Sequence, residues 1–338
     1  ELVASESGDR MPPKGDGLTE DQIGAIEEWV SLGGRIDRVP VDVSELSPVV
    51  DDLTFLRRVW LDLVGVSPPL DTSRRFLADD ASNKREQMVN RLLNDDRWAD
   101  NWVGYWQDVL AENPNLLKPM LNNTGPFRYW ILESLRDNKP MDRFATELIT
   151  MRGSVWGGGA GGFSVATLND VPMAAKAHII GKAFLGVDMK CARCHDAPYH
   201  ETTQETLFQM AAMLNRKAIK VPATSSVPAE FFQHVKAGGR EPLIKVTLKI
   251  GSTVQPNWPF DKVDRAVLDS LLPNVSDSRD RLATEVTFSR RFSEVMVNRV
   301  WRRLLGAGLV EPVDDWEGHP PSDPLLLAHL TDSFIRSG

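Results

Sequence analysis

Both cysteines of this chain sit in one five-residue stretch, Cys191-Ala192-Arg193-Cys194-His195, with a histidine directly behind the second. Two thiols at this spacing, followed by an imidazole, read as a c-type haem attachment site. The thiols would form thioethers with the haem vinyl groups, and His195 would ligate the iron from the face they define. Three other readings stay open: a local disulfide, a redox dithiol and half of a zinc site. A redox dithiol does not need the histidine and normally lies near a βαβ pattern, which the sequence lacks. A structural zinc site wants a second ligand pair, and there is no third cysteine.

With 338 residues, 42% hydrophobic and 25% charged, the chain has ample material for a core, and its length implies two or three domains. A formal charge of −8 argues against a nucleic-acid partner, whose electrostatic footprint is a basic stripe. No run of about 18 apolar residues occurs, so no membrane span is expected. The sequence opens without a methionine or signal peptide and stops inside an amphipathic pattern at Ile335-Arg336-Ser337-Gly338, as a fragment or mature form would. Covalent haem attachment in bacteria occurs outside the cytoplasm, so the motif implies a periplasmic or otherwise extracytoplasmic location. The scarcity of cysteine agrees with an oxidising compartment.

The fold expected is mainly α: an irregular multi-helix domain with a c-type haem site and a small β-rich insertion. Residues 18–32 read as a short helix capped by Thr19, with Gln22 completing a capping box and Gly33-Gly34 ending it. A loop through Pro40 and Pro48 marks the main boundary. Leu53, Leu56, Val59, Trp60 and Leu63 form a helical stripe ended by Gly65. Further helices are predicted at 71–78, 83–93, 96–111, 126–136, 141–151, 174–187 and 204–214, from apolar spacing of i, i+3, i+4, i+7. Leu243–Ile250 alternates as a strand does. Helical character resumes from Lys262, most clearly at 292–305 and 324–335. The resulting division is 1–40, 50–216, 217–261 and 262–338.

Other patterns carry less. Trp98, Trp102 and Trp106 share a helix face, as a sugar platform or a wall beside haem would; such a stripe is more often simply core. Gly157–Gly162 lacks the Gly-Lys-Ser/Thr ending of a phosphate loop and reads as a flexible loop. Of the acidic pairs, Asp51-Asp52 and Asp95-Asp96 lie at helix starts, where negative charge is favoured; Asp314-Asp315 lies in a loop. His234, His319 and His329 have no partner at ligand spacing. Candidates for the sixth haem ligand are His178 ahead of the motif, Met210 and Met213 behind it, and His200; an open position is the remaining option.

The segment from Asp52-Leu53-Thr54-Phe55-Leu56-Arg57-Arg58 through Val64-Gly65-Val66-Ser67-Pro68-Pro69 resembles the opening of a domain of unknown function in planctomycete-type cytochrome proteins. Phe184-Leu185-Gly186-Val187 with Cys191-Ala192-Arg193-Cys194-His195-Asp196 is similar to that domain's haem signature. Val297-Asn298-Arg299-Val300-Trp301 and Gly308-Leu309-Val310-Glu311-Pro312-Val313-Asp314-Asp315 resemble the start of a second uncharacterised domain. Met11-Pro12-Pro13 through Gly33-Gly34 is similar to the tail of a cytochrome c module, with Met11 at its axial methionine. Many relatives have a second histidine two positions after the haem ligand, where this chain has Ala197, so that histidine's role does not transfer.

The resemblance implies one haem c held by Cys191, Cys194 and His195, in an exported protein linked to polysaccharide breakdown. An upstream cytochrome c domain of the same full-length protein is the expected redox partner. Electron transfer is the expected function, since a c-type haem with both axial positions filled is suited to it; the resemblance itself gives no established activity. The alternatives are a haem enzyme oxidising a carbohydrate-derived substrate, with Trp106, His200 or Asp314-Asp315 at an open face, and a non-catalytic polysaccharide-binding module.

Overall fold

The computed structural model describes residues 18–31, 48–110, 125–154, 158–163, 171–228, 243–261, 266, 270 and 277–337. Among these the chain is mainly helical, with twelve α-helices and two small two-stranded sheets. It divides into two compact units, 1–51 and 52–338. No helix among the described residues is long and apolar enough to cross a membrane.

In the first unit, α1 covers Glu20–Ser31. Its capping box forms as expected: the Gln22 N–H donates to Thr19 Oγ1 at 3.3 Å, and the Thr19 N–H donates to Gln22 Oε1 at 3.0 Å. Two amides at the helix start are thereby satisfied reciprocally. Met11 lies outside the described residues.

The second unit opens with α2 (Asp52–Val64), α3 (Leu70–Leu77) and α4 (Lys84–Leu93). Leu56, Trp60, Leu63 and Val64 pack with Phe76, Met88 and Leu92 in a core of their own. The expected stripe is shifted, because Leu53 is 52% exposed. Charge holds that first turn instead: Asp52 pairs with Lys84 at 2.7 Å and Arg85 at 2.8 Å. Gly65 ends α2 at φ +74°, where a Cβ would stand 2.6 Å from Asn101 Oδ1. Asn101 needs that proximity, since its Nδ2 donates to the Asp62 and Leu63 carbonyls, which the end of the helix leaves without intrahelical partners.

α5 (Asp96–Val109) carries the tryptophan stripe. Trp102 and Trp106 are buried in the main core, and Trp98 packs against both cores. From Trp106 the rings continue through Phe144, Trp130, Phe127 and Phe163 at centroid spacings of 5.6, 4.6, 6.0 and 5.9 Å. The stripe is core, and Trp106 at 4% exposure offers no face to a substrate. α6 (Gly125–Arg136) and α7 (Met141–Thr150) complete this layer. β1 (Gly153–Ser154) then pairs antiparallel with β2 (Gly158–Gly159). The glycine run is not a flexible loop where it is described. Ala160–Gly162 form a buried 3-10 turn, and a Cβ on Gly162 would come within 2.7 Å of Phe127 Cβ. Glycine there lets α6 approach the turn.

α8 (Pro172–Ile180) continues into a π-helical turn, Gly181–Leu185, so the single helix expected over 174–187 changes pitch midway. Carbonyls of a final helical turn need outside partners. Arg299, 4% exposed on α11 (Arg290–Leu305), supplies them: Nε donates to Ala183 O at 2.8 Å and Nη2 to Lys182 O at 2.6 Å. α9 (Gln204–Asn215) packs on α8, α10 (Ser278–Thr287) on α7 and α9, and α12 (Pro324–Ser337) on α11.

The strand expected at Leu243–Ile250 does not form. β3 (Ile219–Lys220) pairs antiparallel with β4 (Thr253–Val254) instead. Leu243 and Ile250 are 59% and 57% exposed, so the alternation does not mark a buried face. The amides of Thr247 and Leu248 donate to the side chain of Gln204 and not to a neighbouring strand. The β-rich insertion reduces, in its described part, to these two short strands and irregular chain.

Replacing Arg299 by methionine keeps most of the buried length but strips both π-turn carbonyls of their donor. We expect a loss of about 3 kcal/mol in urea unfolding; an unchanged midpoint would show that those carbonyls find other partners.

Candidate cofactor-attachment site

Cys191, Ala192 and Arg193 form a 3-10 turn. The amides of Cys194 and His195 both donate back to the Cys191 carbonyl, at 3.1 and 3.2 Å. The side chain of Ala192, fully buried, anchors the turn in the core. Both cysteines are free, Cys191 exposed and Cys194 partly so. The Cys194 thiol lies 3.8 Å from the Thr224 carbonyl.

His195 Nδ1 stands 2.7 Å from the Asp196 carbonyl oxygen. A carbonyl only accepts, so Nδ1 carries the proton and Nε2 keeps its lone pair. Asp196 is itself clamped. Its N–H donates to Lys245 O at 2.8 Å, and its Oδ1 accepts from the Gln204 N–H and the Thr247 hydroxyl, each at 2.8 Å. Gln204, fully buried, accepts from the Thr247 and Leu248 amides with Oε1 and donates from Nε2 to Ser225 O. The motif is thus wired to the first turn of α9 and to the segment between β3 and β4.

The candidates for a second axial ligand are placed differently. His178 lines a cleft of 210 Å³ together with Met189, Lys190, Arg193, Cys194 and Thr224. Its Nδ1 accepts from the Met189 N–H at 3.2 Å, which puts the proton of the neutral ring on Nε2. Ligation through Nε2 would require that proton to leave or move. Met210 and Met213 are 0% and 2% exposed within the main core. His200, in the loop after the motif, meets Asp315: Nε2 to Oδ2 is 2.8 Å. The hydrogen bond to Asp315 holds the His200 pKa above the ordinary 6.5, outweighing partial burial, with Glu317 and Asp188 adding to it. Asp314 pairs with Lys182 at 2.8 Å. Burial pushes the Asp314 carboxyl up, but Lys182 and Arg299 outweigh it and hold it below the usual range. His319 and His329 are exposed, and His234 lies outside the described residues.

These residues fit a covalently held haem. Two free thiols lie on one turn at the surface, and the adjoining imidazole has its outer nitrogen tied to a carbonyl, as metal-ligating histidines do. Cys191 and Cys194 would hold such a group by thioether bonds and His195 would ligate its iron. Among the described residues no three His, Cys, Asp or Glu side chains gather as a metal-holding group. Of the three motif side chains, only Cys194 lines the 210 Å³ cleft.

The fold and the site define a mainly helical protein with a partly exposed Cys-x-x-Cys-His turn that two flanking segments hold in place. The chain belongs to the PSCyt2 family of proteins of unknown function (DUF1549), whose model matches residues 41–218. Residues 278–338 match PSD1, a second protein family of unknown function (DUF1553). Both are typical of planctomycete proteins. No curated protein and no solved structure matches.

Sequence reasoning quoted Asp196 and Arg299 within the family motifs but gave no role to them, nor to Gln204 or Thr247. Asp196 follows the motif directly and could have been singled out. Nothing in residue spacing signals a hydrogen bond from Thr247 to a partner 51 positions away.

The His200–Asp315 pair has a definite pH signature. Its histidine pKa is raised on folding, so the pair's stabilisation is complete below 6.5 and is lost as pH rises through the higher folded value. In His200→Gln, unfolding midpoints measured from about pH 5.5 to about pH 8.5 should lose that decline. A decline identical to that of the parent would assign it elsewhere.

Proposed function

We propose that the chain carries one haem c, attached through Cys191 and Cys194 with His195 as axial ligand, and that it serves electron transfer. The observation that carries this reading is the orientation of His195. Its Nδ1–H is fixed on the Asp196 carbonyl, which leaves Nε2 as the donor nitrogen beside two free cysteines on one turn. When bound, the haem supplies one-electron iron chemistry.

The protein's part is positioning. Cys191 and Cys194 would hold the haem covalently, and the Asp196 carbonyl, bonded to His195 Nδ1, would orient the imidazole and strengthen it as a donor. Gln204 and Thr247 hold Asp196 in place. An extracytoplasmic location follows from the attachment chemistry. An upstream cytochrome c domain as redox partner, and a link to polysaccharide breakdown, rest on the family resemblance alone.

One observation favours a second reading, a haem with an open axial position. His178 accepts from Met189, His200 is bonded to Asp315, and Met210 and Met213 lie in the core. None of the four is held ready as a sixth ligand. An open position admits small ligands and oxidative chemistry, including action on a carbohydrate-derived substrate.

Protein matured with a haem-attachment system tests both readings. Haem stain should survive a denaturing gel in the wild type and vanish in the Cys191→Ala/Cys194→Ala double variant; equal staining would overturn the attachment. Carbon monoxide should leave the reduced spectrum unchanged if the axial positions are filled and shift it promptly if one is open.

A further inference from the structure

We propose that the surface around the cysteine turn docks an acidic partner protein, bringing it to the place where the cofactor is attached. The partner's role in electron transfer rests on the reading above; its binding does not.

Lysine usage marks the place. Among the described residues, Lys84, Lys139 and Lys182 are ion-paired and Lys176 is buried. Every other described lysine is exposed and makes no ion pair: Lys190, Lys217, Lys220, Lys245 and Lys249. All five belong to the motif or to the two segments bonded to it. Lys190 precedes Cys191 and lines the same cleft as Cys194 and Thr224. The Lys245 carbonyl accepts the Asp196 N–H, and Lys249 follows the two residues whose amides Gln204 holds. Lys217 and Lys220 lead into Val221, which is bonded through its backbone to Gly251 and Ser252.

The charge there opposes that of the chain. Segments 216–228 and 243–254 contain no carboxylate. Even with Asp188, Asp196, Glu201 and Glu205 counted, the motif and these segments are net positive, in a chain of formal charge −8. A basic patch on an acidic protein attracts an acidic surface and orients it at the patch.

Apolar side chains lie among the lysines and decide between acidic occupants. Tyr199 is 79% exposed, and Leu243, Val246 and Ile250 are exposed too. Weak redox encounters bury little area, so a few such contacts inside a charged rim suffice. A polyanionic sugar would use the lysines but leave Leu243, Val246 and Ile250 in water. A bilayer would draw in, with Leu243 and Ile250, a backbone that forms neither helix nor ladder, which hydrocarbon penalises.

Titration of isotope-labelled plant-type ferredoxin, an acidic electron carrier, with the full 338-residue chain tests this by NMR. Ferredoxin should bind, and its affinity should fall at least about tenfold between about 20 mM and about 200 mM salt. The Lys245→Glu/Lys249→Glu variant should weaken binding at least about tenfold. The same reversal at Arg57 and Arg128, exposed on α2 and α6, should change it less than about twofold. Unfolding midpoints confirm that both variants fold. Dextran sulfate, and vesicles of phosphatidylserine and phosphatidylcholine in equal parts, represent the other occupants. The proposal fails if ferredoxin does not bind, if only the dextran sulfate or the vesicles bind, if basic mitochondrial cytochrome c binds as tightly, or if both reversals act alike. Repeating the titration with Cys191→Ala/Cys194→Ala, which cannot attach haem, separates failure of docking from failure of attachment.

Discussion

The buried amide of Gln204 is the contact on which the candidate site depends. It sits at the first turn of α9, fully shielded from water, and bonds two separate pieces of chain, Ser225 and Thr247-Leu248. A buried primary amide is costly unless its donors and acceptors are met, so this arrangement has one low-energy form. In that form the Gln204 backbone amide also fixes the Asp196 carboxylate, and the Asp196 carbonyl fixes the imidazole of His195. The segment around Thr247 is hydrogen-bonded to both Gln204 and Asp196.

From residue 52 onward the first family segment lies in the same compact unit as the second. Arg299 reaches from the second into the π-helical turn of the first, Trp316 donates its amide to Gly186 O at 2.8 Å, and Lys182 and His200 pair with Asp314 and Asp315. Asn298, beside Arg299, is fully buried and turns inward to bond Leu309 and Val310. Both polar residues of the Asn298-Arg299 pair are thus buried and bonded, one organising its own segment and the other joining it to its neighbour. Burial of such groups without these partners would oppose folding.

Much of the helical layout was legible because amphipathic spacing reports directly on burial. The capping box at Thr19, the break at Gly65 and the helices around the motif all follow from local rules. The failures share a cause. Leu243–Ile250 alternates like a strand, yet a single buried glutamine takes its amides. The glycine run reads as mobile chain, yet Phe127 packs against Gly162. The helix before the motif changes pitch because an arginine more than a hundred residues later meets its carbonyls. Each is a long-range contact that no local window contains. At the site itself, the cysteines and His195 stood out by spacing, whereas the shell that orients His195 is spread over some fifty residues of sequence.

Intact-mass spectrometry of the exported, denatured protein puts the account to its most direct test. The account requires a polypeptide heavier than its sequence by one haem, with the addition mapped to the peptide containing Cys191 and Cys194. The bare polypeptide mass, from material made in cells that attach haem to a control cytochrome, would contradict it.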